Sequence, residues 1–156
     1  MSKIIIHGGF FSESSTNIET KIAKQQALLR IVKDSYAYLQ NHSALETVVY
    51  AVSQLEDDEL FNAGIGSQIQ SDGKIRMSAS LMDGESQKMS GVINIEEVKN
   101  PIQVAQVLMQ VDDRILGGSG ATNFARKYGF EPFSTEIPQR RAEYEAKLAS
   151  LGTGTV

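Results

Sequence analysis

Residues 55–84 read LEDDELFNAGIGSQIQSDGKIRMSASLMDG, and the fold turns on how this stretch is interpreted. It opens with four consecutive acids, Glu56, Asp57, Asp58 and Glu59, then becomes apolar and glycine-punctuated. Neither a helical nor a strand period fits it. An acidic run is ordinarily a solvated face, and a calcium loop is excluded because the alternating ligand order and terminal glutamate are absent. FNAGIGS is nonetheless odd for a surface loop: Phe61 calls for burial while Gly64 and Gly66 bend the backbone. Such a loop turns its carbonyls inward, which suits a hard monovalent ion or a rigid pocket wall. Further on, Asp72-Gly73 favours a tight primed turn between two alternating segments, a hairpin signature. A turn centred on Gly84 then leads to another strand at about Met89 to Ile95.

Working outward, KIIIHGG reads as a short buried strand, Lys3 to His7, broken by Gly8 and Gly9. The polar FFSESSTN follows, with Thr16 or Asn17 as cap of a long helix to Gln40. Ile22, Leu29, Val32, Tyr36 and Leu39 form its apolar stripe. Ser43, with Glu46 three residues on, is a capping-box signature for a second helix reaching about Gln54. Downstream, Asn100-Pro101 opens a helix, because proline is tolerated in a first turn. DRILGGSG reads as strand and loop, ATNFARKYG as a helix closed by Gly129, and PQRRAEYEAKLASLG as a charged terminal helix. GGSGATNFA, residues 117–125, resembles a phosphate-cradling loop but lacks the Walker lysine and the dinucleotide spacing. A turn with Ser119 as N-cap is the plainer reading. The resulting order, β-α-α-β-β-β-α-β-α-α, is that of a mixed α/β layered domain.

The 156 residues, 41% hydrophobic and 22% charged, suffice for one globular domain. A net charge of −4 without a cluster of Lys and Arg argues against nucleic acid or an anionic membrane as main partner. No apolar run approaches the ~20 residues that span a bilayer, and MSKIIIHGG is too short for a signal-peptide core. The absence of cysteine removes disulfides and thiolate chemistry and suits the cytoplasm. His7 and His42, the two histidines, argue against a transition-metal site; His7 reads as structural and His42 as solvent-facing.

The chain finishes KLASLGTGTV. A threonine hydroxyl is a weak nucleophile unless a base adjoins it. As the first residue of a chain, threonine has its own α-amine, with an unperturbed pKa of ~7.7–8, to take the proton. On these residues alone a frayed tail is the plainer reading, yet the bond between Gly154 and Thr155 has the right shape for uncovering such a residue. Glycine offers no side chain to block attack of the Thr155 hydroxyl on the preceding carbonyl.

Taken together, IIIHGG, the 55–84 block and GTGTV resemble the N-terminal half of the plant-type asparaginases, or isoaspartyl aminopeptidases, a family of N-terminal-nucleophile hydrolases. The resemblance covers nearly the whole chain, and the middle block is its specific part. It implies a four-layer αββα sandwich, made as a precursor that cuts itself. On that basis residues 1–154 form an α subunit, residues 155–156 begin the β subunit, and cleavage falls between Gly154 and Thr155. The implied activity is hydrolysis of L-asparagine and β-aspartyl dipeptides by Thr155, with no catalytic cofactor. Asn62 matches an asparagine lining the nucleophile's pocket, and Gly8 and Gly9 match the HGG loop. The main-chain carbonyls of Leu55, Glu56, Asp58, Phe61, Ala63 and Ile65 match a loop that holds a structural sodium ion. The implied partners are the β subunit of the same precursor, in a dimer of αβ units, and a small amide or dipeptide substrate. Two departures, Phe10-Phe11 after HGG and Ser78-Ala79-Ser80 before the MDG, bear on cleavage rate and substrate preference. Competing readings are a glycosylasparaginase-like amidase of the same fold and a non-maturing binding or scaffold member.

Overall fold

Ser43 starts the second helix as its sequence dictates. Its hydroxyl accepts the Glu46 N–H at 3.2 Å, and the Glu46 carboxylate accepts the Ser43 N–H at 2.9 Å. This reciprocal box satisfies two donors that a helix start otherwise leaves open. The computed structural model describes residues 2–8 and 18–152, the last two by backbone alone. Gly9, Phe10-Phe11, the expected caps Thr16 and Asn17, Gly154 and Thr155 lie outside the described residues.

Helices α1 (Ile18–Tyr38) and α2 (Ala44–Glu56) form an antiparallel pair. A single 3-10 turn at Gly64–Gly66 follows, then strands β1 (Met77–Asp83) and β2 (Lys88–Ile95). Helix α3 (Pro101–Leu108) crosses over to strand β3 (Ile115–Gly117), which runs straight into α4 (Gly118–Lys127). Helix α5 (Pro138–Gly152) is last. The sheet order is β1-β2-β3, with β1 and β2 antiparallel and β2 and β3 parallel, as the α3 crossover requires.

Three apolar clusters hold the layers together. Val92 and Ile95 of the sheet meet Val104 and Leu108 of α3 and Ala121 and Ala125 of α4. Val49 of α2 and Leu81 of β1 close on Ile102, Ala105 and Met109. Ala27 and Ile31 of α1 enclose Phe61, with Ile6 and Leu28 at the margin. Helices thus cover one face of the sheet. The other face carries Met82, Met89, Ile93 and Ile115, all at least half exposed. Alternation along each strand puts these side chains on one side, and register confirms it, with Met82 opposite Met89 and Gly91 opposite Ile115.

Several expectations are corrected. Residues 2–8 belong to no strand, and Ile5 is 93% exposed. An apolar run becomes a strand only when a neighbour takes its N–H and C=O groups, and none does so among the described residues. Asp72-Gly73 does make a tight turn, with Gly73 at φ +83° and its N–H on the Gln70 carbonyl at 2.9 Å. It joins no hairpin, because residues 67–70 pair with no strand. Arg76 holds that turn through Asp72 at 2.8 Å and Gln70 at 2.8 Å, and also reaches Glu96 at 2.9 Å. The hairpin is β1–β2, closed by the Asp83 carboxylate on the N–H groups of Glu85 and Ser86. Ser119 is no N-cap: the cap is Gly117, and Ser119 sits inside the first turn of α4. The stripe of α1 is also turned around. Lys24, Ala27, Ile31 and Ser35 are buried, whereas Ile22, Leu29 and Tyr36 face outward.

Candidate active site

The loop between α2 and β1 is wound on itself by its glycines. A Cβ on Gly64, which has φ +51°, would lie 2.1 Å from the Glu56 carbonyl oxygen. One on Gly66 would lie 1.9 Å from the Phe61 carbonyl oxygen and 2.7 Å from that of Glu59. Only glycine allows packing this close: the Glu56 oxygen lies against Gly64 and the Glu59 and Phe61 oxygens against Gly66, a glycine cradle for main-chain carbonyls. Short bonds within the loop brace it: Asp58 N–H to Leu55 O, Phe61 N–H to Asp58 O at 3.1 Å, and Gly66 N–H to Ala63 O at 3.1 Å. Among the described residues, no three His, Cys, Asp or Glu side chains gather to hold a metal. An ion here would rest on carbonyl oxygens, the donor set that suits a hard cation. Of the six carbonyls in the sodium expectation, those of Glu56 and Phe61 lie against these glycines.

Asn62 stands exposed at the lip of this loop, and its Oδ1 accepts the Gln68 N–H at 2.9 Å. Its amide NH2 is left as the group it can offer outward. Phe61, the next residue back, is buried under the N-terminal segment. A Cβ on Gly8 would lie 2.8 Å from the Phe61 ring and 3.1 Å from Leu28. The sequence-distant HGG segment and FNAGIGS loop are thus brought into contact through Gly8 and Phe61. Gly9, Gly154 and Thr155, the remaining candidates, lie outside the described residues.

Two charged side chains behind the loop escaped the sequence reading. Glu56, 3% exposed, does not belong to a solvated acidic face. Its Oε1 accepts the Ile102 N–H at 3.1 Å, capping α3, whose own N-cap Asn100 supplies no side-chain cap. Asn100 instead donates to Asp57 at 3.0 Å. Burial pushes the Glu56 carboxyl up to about 8, the nearby Asp57 charge pushes the same way, and the Ile102 hydrogen bond and the neighbouring Asn100 amide oppose it. Its Oε2 is buried without a hydrogen-bond partner. Arg140 of α5, 8% exposed, sends its Nε–H to the Gly66 carbonyl at 2.9 Å and its Nη1 to Glu143 at 2.8 Å. The proline after Asn100, which removes one first-turn donor, hints that α3 needs an outside cap. No local pattern in the charged α5 singles out Arg140.

Elsewhere, His42 is solvent-facing as expected, stacked on Tyr38 with ring centroids 3.5 Å apart and Nδ1 2.9 Å from the Tyr38 carbonyl. His7 is exposed. Among the described residues, no helix is long and apolar enough to cross a membrane.

Comparison with known proteins converges on the same assignment. The family described as asparaginase matches residues 1–151. An "Isoaspartyl peptidase/L-asparaginase" from Synechocystis sp. is 49% identical over 127 residues, covering 80% of this chain and 38% of that protein. A "Plant-type L-asparaginase" from Pyrococcus furiosus is 39% identical over 159 residues, covering 100% of this chain and 51% of that protein. An "Isoaspartyl peptidase" from Salmonella typhimurium is 36% identical over 155 residues, covering 97% of this chain and 50% of that protein. The chain spans about half the length, or less, of the curated relatives it matches. With the family matched from the IIIHGG segment through α5, and with the glycine cradle of the FNAGIGS loop in place, this chain belongs to the asparaginase family.

Proposed function

We propose that this chain is the α half of an amidohydrolase that acts on L-asparagine and β-aspartyl dipeptides, with Thr155 as its nucleophile. The observation that carries the reading is the contact of Gly8 with Phe61 beside Asn62, in a chain similar to proteins named isoaspartyl peptidase and L-asparaginase. Residues 1–154 form the α subunit and residues 155–156 begin the β subunit.

Maturation comes first. The Thr155 hydroxyl adds to the Gly154 carbonyl, the C–N bond breaks, and the acyl group passes to oxygen. Water then hydrolyses that ester, leaving the Gly154 carboxylate and a free Thr155 α-amine. In turnover this amine takes the hydroxyl proton as Oγ attacks the substrate's side-chain amide carbonyl. Preorganised hydrogen-bond donors stabilise the tetrahedral oxyanion. The proton goes to the departing ammonia or peptide amine, and water releases aspartate from the acyl-enzyme. Asn62 lines the nucleophile's pocket, and Gly8 and Gly9 act as the HGG loop of the family.

The fold reading is the four-layer αββα sandwich. The bare sheet face with Met82, Ile93 and Ile115 supports it, because an apolar sheet face is stable when a second sheet stacks about 10 Å away. The outward stripe of α1 and the exposed Ile5 call for cover in the same way. The αβ units pair into a dimer. A sodium ion bound by the carbonyls of Leu55, Glu56, Asp58, Phe61, Ala63 and Ile65 stiffens the loop; its role is structural. The cysteine-free composition suits a cytoplasmic enzyme.

Intact mass and N-terminal sequencing of the α–β precursor provide the test. Wild type is expected to yield a new N-terminus at Thr155 and to hydrolyse a β-aspartyl dipeptide, and Thr155→Ala to do neither. A wild-type chain that stays uncut, or hydrolysis by the Thr155→Ala protein, overturns the reading.

A further inference from the structure

We propose that Arg140 is a positioning residue for the Asn62 loop, reaching across from α5 to set the peptide that holds Asn62 in place. The inference rests on reading that loop as part of the active site.

Helix α5 makes little use of the core. From Glu145 through Ser150 every residue is exposed, including Leu148. Arg140 is the exception: its guanidinium is drawn under the loop between α2 and β1, where Gly66 is itself buried. Removing a charge from water costs several kcal/mol, and an apolar side chain of similar bulk fills such space without that penalty. What an apolar residue lacks is a directed donor. The planar guanidinium supplies two here in fixed relation, one to the Gly66 carbonyl at 2.9 Å and one to Glu143 at 2.8 Å.

The bond to Gly66 fixes the orientation of the peptide between Gly66 and Ser67. Two residues on, the Gln68 N–H holds Asn62 Oδ1 at 2.9 Å. Gly66 also closes the cradle from the other side, through its N–H on Ala63. Two hydrogen bonds, Arg140 to Gly66 and Gln68 to Asn62, are thus joined by two residues of backbone and link α5 to Asn62. A second tie, from the Tyr144 hydroxyl to the Ser71 carbonyl at 3.4 Å, keeps α5 alongside the same segment. Of the six carbonyls assigned to the sodium ion none is that of Gly66, so Arg140 and the ion engage different oxygens of one loop. Misplacement of Asn62 by a fraction of an ångström reaches the chemistry without disturbing substrate affinity.

The test uses the matured αβ enzyme with Arg140→Met and Arg140→Lys. Met keeps bulk and removes the donor; Lys restores one donor without the fork. Arg140→Met leaves the buried Gly66 carbonyl without its donor, so it is expected to fold but melt a few degrees, about 5 °C, below wild type, and to lose kcat by about 10- to 100-fold at temperatures where it is fully folded, with KM within about twofold. Arg140→Lys is expected to recover part of that loss. Amide hydrogen exchange at Gln68 is expected to quicken by about tenfold or more in Arg140→Met while the capping-box amide of Glu46 stays unchanged. Unchanged kcat and unchanged Gln68 exchange in Arg140→Met overturn the proposal. So does a loss of activity that follows the fraction of unfolded protein. If Arg140→Met does not fold, Arg140→Lys decides by the same two readouts. An inactive wild-type enzyme sinks the hydrolase reading alone, and Gln68 exchange still judges Arg140.

Discussion

The carboxyl of Glu56, at the last turn of α2, receives the backbone N–H of Ile102, in the first turn of α3, at 3.1 Å. This one bond ties the end of α2, where the carbonyl loop begins, to the start of α3. It also uses the positive end of the α3 dipole to hold a buried acid. The Glu56 backbone carbonyl oxygen meanwhile packs against Gly64. One residue therefore anchors the loop with its side chain and lines it with its main chain.

Removing the carboxyl should be costly. Glu56→Ala leaves the Ile102 N–H without its acceptor in a buried place and opens a cavity, for an expected loss of about 2–4 kcal/mol. Glu56→Gln keeps an acceptor oxygen and is expected to lie within about 1 kcal/mol of wild type. Urea unfolding of both variants checks this; equal losses would show that the hydrogen bond to Ile102 is not what matters.

The same carboxyl predicts a pH dependence. Its folded value is raised from 4.5 to about 8, so between those two values the folded state holds a proton that the unfolded state has given up. Stability therefore falls as pH rises through this window and levels off above it. Denaturation midpoints from pH 5 to 8.5, taken in sodium-free buffer, should show the decline. Glu56→Gln should flatten it, and a slope that persists in the variant assigns the effect elsewhere.

The cradle predicts unequal costs for three glycines with different surroundings. Gly118→Ala meets open space and suffers only from a φ of +52°, an expected penalty of about 1–2 kcal/mol. Gly64→Ala adds to a similar φ a contact of 2.1 Å with the Glu56 carbonyl. Gly66→Ala has no positive φ but meets the Phe61 oxygen at 1.9 Å. Both loop variants are expected to lose more than Gly118→Ala, by thermal melting. A Gly66→Ala protein as stable as wild type would mean that the loop relaxes freely.

Sodium should stiffen the loop if the carbonyls hold it. At constant ionic strength, replacing choline by sodium is expected to raise the melting temperature of the αβ enzyme with a saturable dependence, as binding to the folded state requires. Gly66→Ala, which crowds the cradle, is expected to abolish the increment. An identical melting temperature in the two salts discards the ion.

The parts of this molecule legible in its sequence are those decided within a few residues. Ser43 and Glu46 cap α2 because both partners lie in one turn, and Pro101 and Gly129 mark helix ends by their own backbone limits. Met89 to Ile95 forms a strand where its apolar, β-branched run predicts one, and the 55–84 block identified the family. By contrast, Lys3 to His7 has the composition of a strand and no strand partner among the described residues, while residues 67–70 bond to nearby turns, as the Gln70 N–H does to the Lys74 carbonyl at 2.8 Å. The stripe of α1 was visible, but which of its two faces is buried depended on where Phe61 and α2 came to lie. Glu56 and Arg140 were hidden among other charges, since nothing local separates a buried carboxylate or guanidinium from a solvated one. Local hydrogen bonds and backbone sterics are written residue by residue, so the sequence by itself determined the capping box of α2, the Gly129 helix end, the Asp72-Gly73 turn and the family. Burial and strand pairing require a surface delivered from tens of residues away, so only the tertiary structure decided that an acid caps α3 and an arginine holds the Asn62 loop.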